Sequence, residues 1–306
     1  MSAIINAAVC SNMGKVRKNN EDNFYFNGLY MDESQRNGGG TFKHSSDDPI
    51  QIYAVCDGMG GEEGGEDASL SAVRALEQYA RTTRKADGTE QLKELLQQIS
   101  DTIEDNAREK GFHSGTTIAM AVICEDKVRI IHVGDSRVYC LENGKLSRKT
   151  VDHSEVQRMF SMGLITAEEM NTHPKRHVIT QFLGMSRSSA PVAPTISDRE
   201  QIRAGQRYLL CSDGLTDMVR DHDIEKILAS AANAEDAVKQ LTIAALQNGG
   251  KDNVTSICLF AEYNKKREST LSPEKLKKKR TISICGMMLS GIIVAASLFL
   301  LFRGMT

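Results

Sequence analysis

Residues 53–61 read YAVCDGMGG. Four strand-type residues run into Asp57, and Gly58, Gly60 and Gly61 follow at once. A carboxylate at the end of a buried strand is costly unless something positive meets it. Glycines behind it let the backbone come close to that partner. The pattern recurs in YLLCSDG at 208–214, where an apolar run ends on Asp213. Asp22, in RKNNEDNFYF, and Asp252, in GGKDNVTSICLF, each lie at the start of a strand-like run. Asp135, in IIHVGDSRVY, falls in the tight turn between two more.

One Asp-Gly is ordinary turn chemistry. Five aspartates at strand ends are different, because a sheet can present all of them along one rim. Converged and unpaired, they would repel one another and their pKa values would rise. Divalent cations with oxygen ligands resolve that conflict. No His-rich or Cys-rich constellation accompanies them, so Mg²⁺ or Mn²⁺ suits the donor set better than zinc.

The frame around these residues reads as α+β. Strand-like runs occupy 3–10, 23–28, 50–56, 116–124, 127–133, 136–141, 207–211 and 254–262. Short polar turns join many of them, which suits antiparallel pairing. Apolar residues recur at helical spacing in 65–82 and 90–110, and again in 222–232 and 234–247. Strands thus cluster between helix pairs, which predicts stacked sheets covered by helices instead of a doubly wound parallel sheet. Residues 30–48, rich in Gly, Ser and Asp, read as a surface loop.

Charge is unevenly placed. Residues 264–280 carry eight Lys/Arg against two Asp/Glu, so the body before them has a net charge of −9 although the whole chain has −2. An acidic body argues against nucleic acid as a partner. The seven cysteines form no CxxC pair and sit mostly in apolar strands, which predicts reduced, buried thiols. No apolar core of signal-peptide length occurs in the first twenty residues. Residues 282–302, ISICGMMLSGIIVAASLFLLF, are 21 residues without a charge. That length matches a hydrocarbon core of about 30 Å. The preceding KLKKKR predicts a basic collar on the cytoplasmic side. The expected organisation is a folded domain at 1–263, a basic linker at 264–281 and a single transmembrane helix at 282–302, with the 1–263 domain cytoplasmic.

Six stretches in order carry a resemblance: GKVRKNNED at 14–22, VCDGMGG at 55–61, GTT at 115–117, VGDSR at 133–137, CSDGL at 211–215 and GGKDNVT at 249–255. Together they resemble the metal-dependent protein serine/threonine phosphatases of type 2C, in their bacterial branch. The resemblance implies a four-layer α-β-β-α sandwich of two antiparallel sheets, with a metal centre at one end. It implies that Asp57 bridges two Mn²⁺ or Mg²⁺ ions and that the Gly58 carbonyl serves one of them. Asp213 and Asp252 would complete the pair, with Glu21 and Asp22 ligating at the rim or holding bound waters. Asp135, with Asp213, matches the positions of a third, more weakly held ion. Arg17 matches the arginine that grips the substrate phosphate, a task that suits a planar guanidinium. Asp57, Asp213 and Arg17 are then the catalytic set, and water attacks phosphorus with no covalent phosphoenzyme.

Implied partners are phosphorylated proteins, including a serine/threonine kinase and its substrates at the membrane. Two departures stand out. Met59 occupies the place where many eukaryotic relatives have a histidine, and methionine cannot donate a proton; a metal-bound water is expected to take that role. Glu62 replaces the histidine of the GGH often seen in bacterial relatives. Residues 152–184 resemble the flap that overhangs the site in bacterial members; His153, His173 and His177 lie in it and read as structural or surface residues. Competing readings are a pseudophosphatase or phosphoprotein-binding scaffold, and an anti-sigma-antagonist phosphatase on the same fold.

Overall fold

The chain opens on a ten-residue strand, β1 (Ala3–Asn12), which pairs along its whole length with the last strand of the unit. The structure is a computed structural model, described here for residues 3–263 except 36, 38, 61–63, 84–85, 187 and 189–190. After β1 come β2 (Asn23–Phe26), β3 (Gly40–Ser46), β4 (Ile50–Cys56) and β5 (Gly58–Met59), then the helix pair α1 (Gly65–Thr82) and α2 (Thr89–Lys110). A run of short-turn strands follows: β6 (Gly115–Thr116), β7 (Ile118–Cys124), β8 (Lys127–Val133), β9 (Arg137–Glu142) and β10 (Lys145–Arg148). The segment with the flap-like sequence holds α3 (Glu155–Ser161) and α4 (Ala167–Met170). Beyond it lie β11 (Thr195–Ile196), β12 (Glu200–Gln201), β13 (Arg207–Cys211), α5 (Asp213–Thr216), α6 (Asp221–Ser230), α7 (Ala234–Gln247) and β14 (Val254–Tyr263).

Two large antiparallel sheets result, beside a short two-stranded pairing of β5 with β6. One runs β10-β9-β13-β14-β1-β3; the other runs β11-β8-β7-β4-β2, with β12 also on β8. The period-2 alternation of strand side chains decides the layers. Tyr53 and Val55 of β4 join Val9, Leu210 and Ile257 in a core between the sheets. Their alternates Ile52, Ala54 and Cys56 face Leu76 of α1 and Leu96 of α2. On the outer face of the first sheet, Leu209, Cys211 and Cys258 pack against Leu228 of α6 and Leu241 of α7. The six cysteines among the described residues are free, five of them buried.

One expectation needs correction. Residues 30–48 are not wholly loop, because Gly40–Ser46 form β3 on the edge of the first sheet, paired to β1. Its side chains are largely exposed, so the strand has no apolar alternation to read. The 282–302 segment and the basic 264–281 stretch lie outside the described residues. Among those described, no helix is long and apolar enough to cross a membrane.

Antiparallel pairing explains why the acidic ends meet. The start of one strand lies beside the end of its neighbour: Asn23 opposes Cys56, and Cys211 opposes both Ser256 and Arg137. Asp22, Asp57 and Asp213 lie within two residues of these paired termini, Asp135 falls in the β8–β9 turn, and Asp252 stands two residues before β14, whose first residue Val254 pairs with Asn12, so one end of the sandwich collects all five.

Candidate metal centre

Asp57 occupies the step between β4 and β5. Its backbone is clamped by the next strands: the Asp57 N–H donates to Thr117 Oγ1 at 3.1 Å, and Thr117 N–H and Thr116 Oγ1 both donate to its carbonyl at 2.9 Å. The glycines behind it serve close packing. A Cβ at Gly58 would strike the backbone carbonyls of Gly65 and Glu21, so the first turn of α1 rests directly on the strand-end backbone. Gly58 N–H donates to Glu21 O at 3.2 Å, which ties the two acidic loops together.

Asp22 is the most enclosed carboxylate, 1% exposed. Ser212 Oγ donates to its Oδ2 at 2.7 Å, joining the rims of the two sheets. Its Oδ1 is buried and accepts no hydrogen bond. Burial, and then the fields of Asp213 and Asp252, push the Asp22 pKa up to about 7. Burial raises Asp213 to about 6, with Asp217 and Asp252 adding to it. Asp57 and Asp135 are held well above the usual carboxylate range, again by burial first. Asp22, Asp213, Asp135 and Asp252 all act on Asp57, and Asp213 acts on Asp135.

Arg17 spans this acidic rim. Its Nη2 donates to Asp252 Oδ2 at 2.7 Å and its Nη1 lies 3.7 Å from Glu21 Oε2. Burial opposes the Arg17 charge, but Asp252, Glu21 and Asp57 together raise its pKa. Glu21 is half-buried, and burial raises its carboxyl. Behind these groups, Asn253 braces the loop that carries Arg17. Its Oδ1 accepts from Glu21 N–H at 2.8 Å, and its Nδ2 donates to the carbonyls of Met13 and Asn19, each at 2.9 Å.

These observations test the fit of a cation. A fully buried carboxylate oxygen without a donor, beside several carboxyls whose ionisation is suppressed by burial and mutual repulsion, is a donor set short of positive charge. Its oxygens suit hard Mg²⁺ or Mn²⁺. Each residue expected at the site from the sequence lies at this end of the sandwich: Arg17, Glu21, Asp22, Asp57, Gly58, Asp135, Asp213 and Asp252. Met59 lies in β5 beside them, whereas Glu62 falls outside the described residues.

Comparison with known proteins accounts for this arrangement. The family model described as Protein phosphatase 2C matches residues 40–248. The chain belongs to the protein phosphatase 2C family. It is 33% identical over 261 residues to the serine/threonine protein phosphatase PstP of Mycobacterium tuberculosis, covering 84% of this chain but only 45% of that relative's length. It is 31% identical over 262 residues to the serine/threonine phosphatase stp of Listeria monocytogenes, covering 83% of this chain and 94% of the relative. Among solved structures, Mycobacterium tuberculosis PstP/Ppp superposes with a TM-score of 0.70 at 31% identity, over 85% of this chain and all of that one. The PstP catalytic domain in complex with two manganese ions gives a TM-score of 0.69 at 29% identity, over 86% of this chain and 100% of that one.

Two residues outside the expected site set sit against this phosphatase 2C centre. Ligand atoms of His177, Asp213 and Asp217 lie within 4.8 Å of one another. His177 reads from the sequence as a structural or surface residue, and half of its side chain is exposed. Asp217, on the turn after Asp213, carried no signal, because only the i,i+4 spacing from Asp213 relates them. His153 keeps a structural place. It stacks on His132 with centroids 4.6 Å apart, its Nδ1 accepts from Gly134 N–H at 3.3 Å, and burial lowers its pKa to about 4.

Proposed function

We infer that the protein is a Mn²⁺- or Mg²⁺-dependent phosphatase that hydrolyses phosphoserine and phosphothreonine in proteins. The observation that carries this reading is the meeting of five strand-end aspartates with Arg17 at one end of the sandwich. The manganese-bound PstP catalytic domain, similar over its whole length, supports two ions in the core.

Asp57, Asp213 and Asp252, with the Gly58 carbonyl, hold that pair. Glu21 and Asp22 ligate at the rim or hold its waters, and Asp135 with Asp213 takes a third ion more weakly. When bound, the ion pair supplies Lewis acidity toward water and the phosphoryl group. Arg17 grips the phosphate by bidentate contact and sets phosphorus in line with the attacking oxygen. Asp252 and Glu21 hold the guanidinium in place before substrate arrives. Met59 offers no proton, so the leaving serine or threonine oxygen is protonated by water.

Residues 282–302 anchor the protein in the membrane, with the basic 264–281 stretch and the catalytic unit on the cytoplasmic side. There the tether raises the effective concentration of membrane-bound phosphoproteins, a serine/threonine kinase among them. The apolar, uncharged run and its basic collar support this placement. In cells the full chain then dephosphorylates such targets faster than residues 1–263 alone, although the two act equally on a soluble peptide. Equal rates in cells would remove the anchor from the account.

The hydrolase reading is tested by a Mn²⁺ titration with EDTA reversal on a phosphothreonine peptide, comparing wild type with Asp57→Ala and Asp213→Ala. Metal-dependent phosphate release that both variants lose supports it. Release that survives EDTA or either substitution defeats it.

A further inference from the structure

Among the described strands β3 pairs only with β1, so it forms an edge of the first sheet. An edge strand offers a row of backbone N–H and C=O groups to a further strand. The side chains of β3 divide by face. Phe42 and His44 turn inward: the Phe42 ring lies 6.0 Å from that of Phe24, and His44 Nε2 lies 3.0 Å from the Tyr53 hydroxyl. Thr41 and Lys43 turn outward, Thr41 toward Cys10 and Lys43 toward Glu235 of α7. Beside the strand a groove of about 520 Å³ lies between Phe42, His44 and the Phe26–Leu29 turn, with Phe42 and Leu29 each 38% exposed.

Charge narrows what can pair here. Lys43 Nζ meets Glu235 at 2.5 Å, but Lys239 Nζ holds the same carboxylate at 2.6 Å. Two ammoniums thus divide one carboxylate, and the Lys43 side chain stays 69% exposed. A second copy is a poor occupant, because full antiparallel overlap of 40–46 with itself sets Lys43 opposite Lys43. A strand with a carboxylate at that position fits, with its alternate side chains apolar and entering the groove.

The edge also leads to the acidic rim. Gly40 pairs with Ser11 and Ile5 with Ser46, so β3 starts at the metal-centre end and runs away from it. Asn12, next after Ser11, pairs with Val254, two residues beyond Asp252. Asn20 N–H donates to Asn37 Oδ1 at 3.1 Å, which ties the loop ahead of β3 to the loop carrying Arg17 and Glu21. A strand laid antiparallel on β3 therefore ends at the rim, and antiparallel pairing is the more stable kind.

We propose that β3 is a docking edge for an extended segment of the phosphoprotein substrate, one that precedes the phosphorylated residue and alternates apolar side chains with a carboxylate facing Lys43. The source of the segment rests on the phosphatase reading above. Backbone pairing supplies the grip, and Lys43 with the groove supplies the selection. Docking raises the local concentration of the phosphorylated residue at the metal centre without touching the chemistry.

The test is steady-state kinetics of the full-length protein on a phosphothreonine peptide with and without an N-terminal Val-Glu-Val-Glu-Val tail. A Gly-Ser spacer of about six residues, roughly 20 Å when extended, joins the two. The tail lowers KM on the order of tenfold and leaves kcat unchanged. A Val-Lys tail gives no gain, and neither does a tail with alternate prolines, which cannot donate to the ladder. Lys43→Glu reverses the charge preference, so the Val-Lys tail now lowers KM and the Val-Glu tail does not, while the tail-less peptide is turned over as in wild type. Fluorescence anisotropy of the labelled Val-Glu tail alone, in EDTA, reads docking apart from hydrolysis, and Lys43→Glu weakens it about fivefold. Equal KM with and without the tail, a gain that survives alternate prolines, or indifference to Lys43→Glu would each overturn the proposal. So would a dimer of the full chain that the Val-Glu tail dissociates, which would give the edge to a second copy. Turnover without tail binding removes the docking edge alone; tail binding without any turnover removes the phosphatase reading, and with it the substrate as source of the segment.

Discussion

Arg17 and Asp252 are 235 positions apart in the chain, yet the guanidinium donates to the carboxylate at 2.7 Å. The Arg17 side chain is nevertheless 46% exposed. One edge of the fork is occupied by protein and the rest faces solvent, the posture of a group that is aimed but not used up.

Replacing Arg17 therefore separates binding from chemistry. Arg17→Ala lowers kcat/KM on a phosphothreonine peptide by roughly ten- to a hundredfold, the loss of a charge-assisted hydrogen bond of about 1.5–3 kcal/mol. Most of the change appears in KM. Arg17→Lys recovers only part, because a point charge does not reproduce the planar fork. Steady-state kinetics on both variants checks this.

Ser212 touches no substrate in this reading, but its hydroxyl donates to Asp22 Oδ2 at 2.7 Å. Ser212→Ala leaves Asp22 less well aimed and raises the Mn²⁺ concentration needed for half-maximal activity about 10–100-fold. Circular dichroism shows the fold unchanged. A Mn²⁺ activation curve gives the number.

Cation removal should be felt most at alkaline pH. In the folded protein Asp22 and Asp213 rise to about 7 and about 6 from an ordinary 3.8. Between those values the folded state holds more protons than the unfolded one, so stability falls as pH rises through the window. Bound Mn²⁺ removes that loss by favouring the ionised carboxylates. The rise in Tm on adding Mn²⁺ to EDTA-treated protein is then larger at pH 8 than at pH 5, and differential scanning calorimetry at the two pH values measures it.

Arg137 belongs to the VGDSR stretch, and its role is architectural. Its Nε and Nη2 donate to Asp152 at 3.0 and 2.6 Å, fastening the start of the 152–184 segment to β9. Asp152 is 6% exposed. Arg137→Ala leaves that carboxylate buried with only the longer Arg148 contact at 3.5 Å and costs about 3 kcal/mol. Urea unfolding detects the loss, and Arg137→Ala with Asp152→Ala recovers part of it.

What the sequence made legible follows from what leaves a pattern. The helices at 65–82 and 234–247 stand where the apolar spacing put them, because each buries one stripe against a sheet. The acidic strand ends were readable because apolar runs stopping at aspartate, five times over, are unusual. β3 left no trace, since a polar edge strand needs only a neighbour's backbone. The approach of His177 to Asp213 was equally hidden: it depends on how a long segment folds back over the rim, and neither residue's neighbours encode that distance. Asn253 was quoted within a motif, but its bracing of Glu21, Met13 and Asn19 emerges only in three dimensions.

That brace, with the pairing of β1 to β14, has a consequence for biosynthesis. A ribosome makes the Arg17 loop first and its Asp252 partner some 235 residues later. Until Asn253 and the final strand emerge, the opening loop lacks the brace on Glu21, Met13 and Asn19. On the proposed function, a polypeptide that stops before Asn253 lacks the braced Arg17 loop, and hydrolytic competence is expected only once translation has passed the end of the domain.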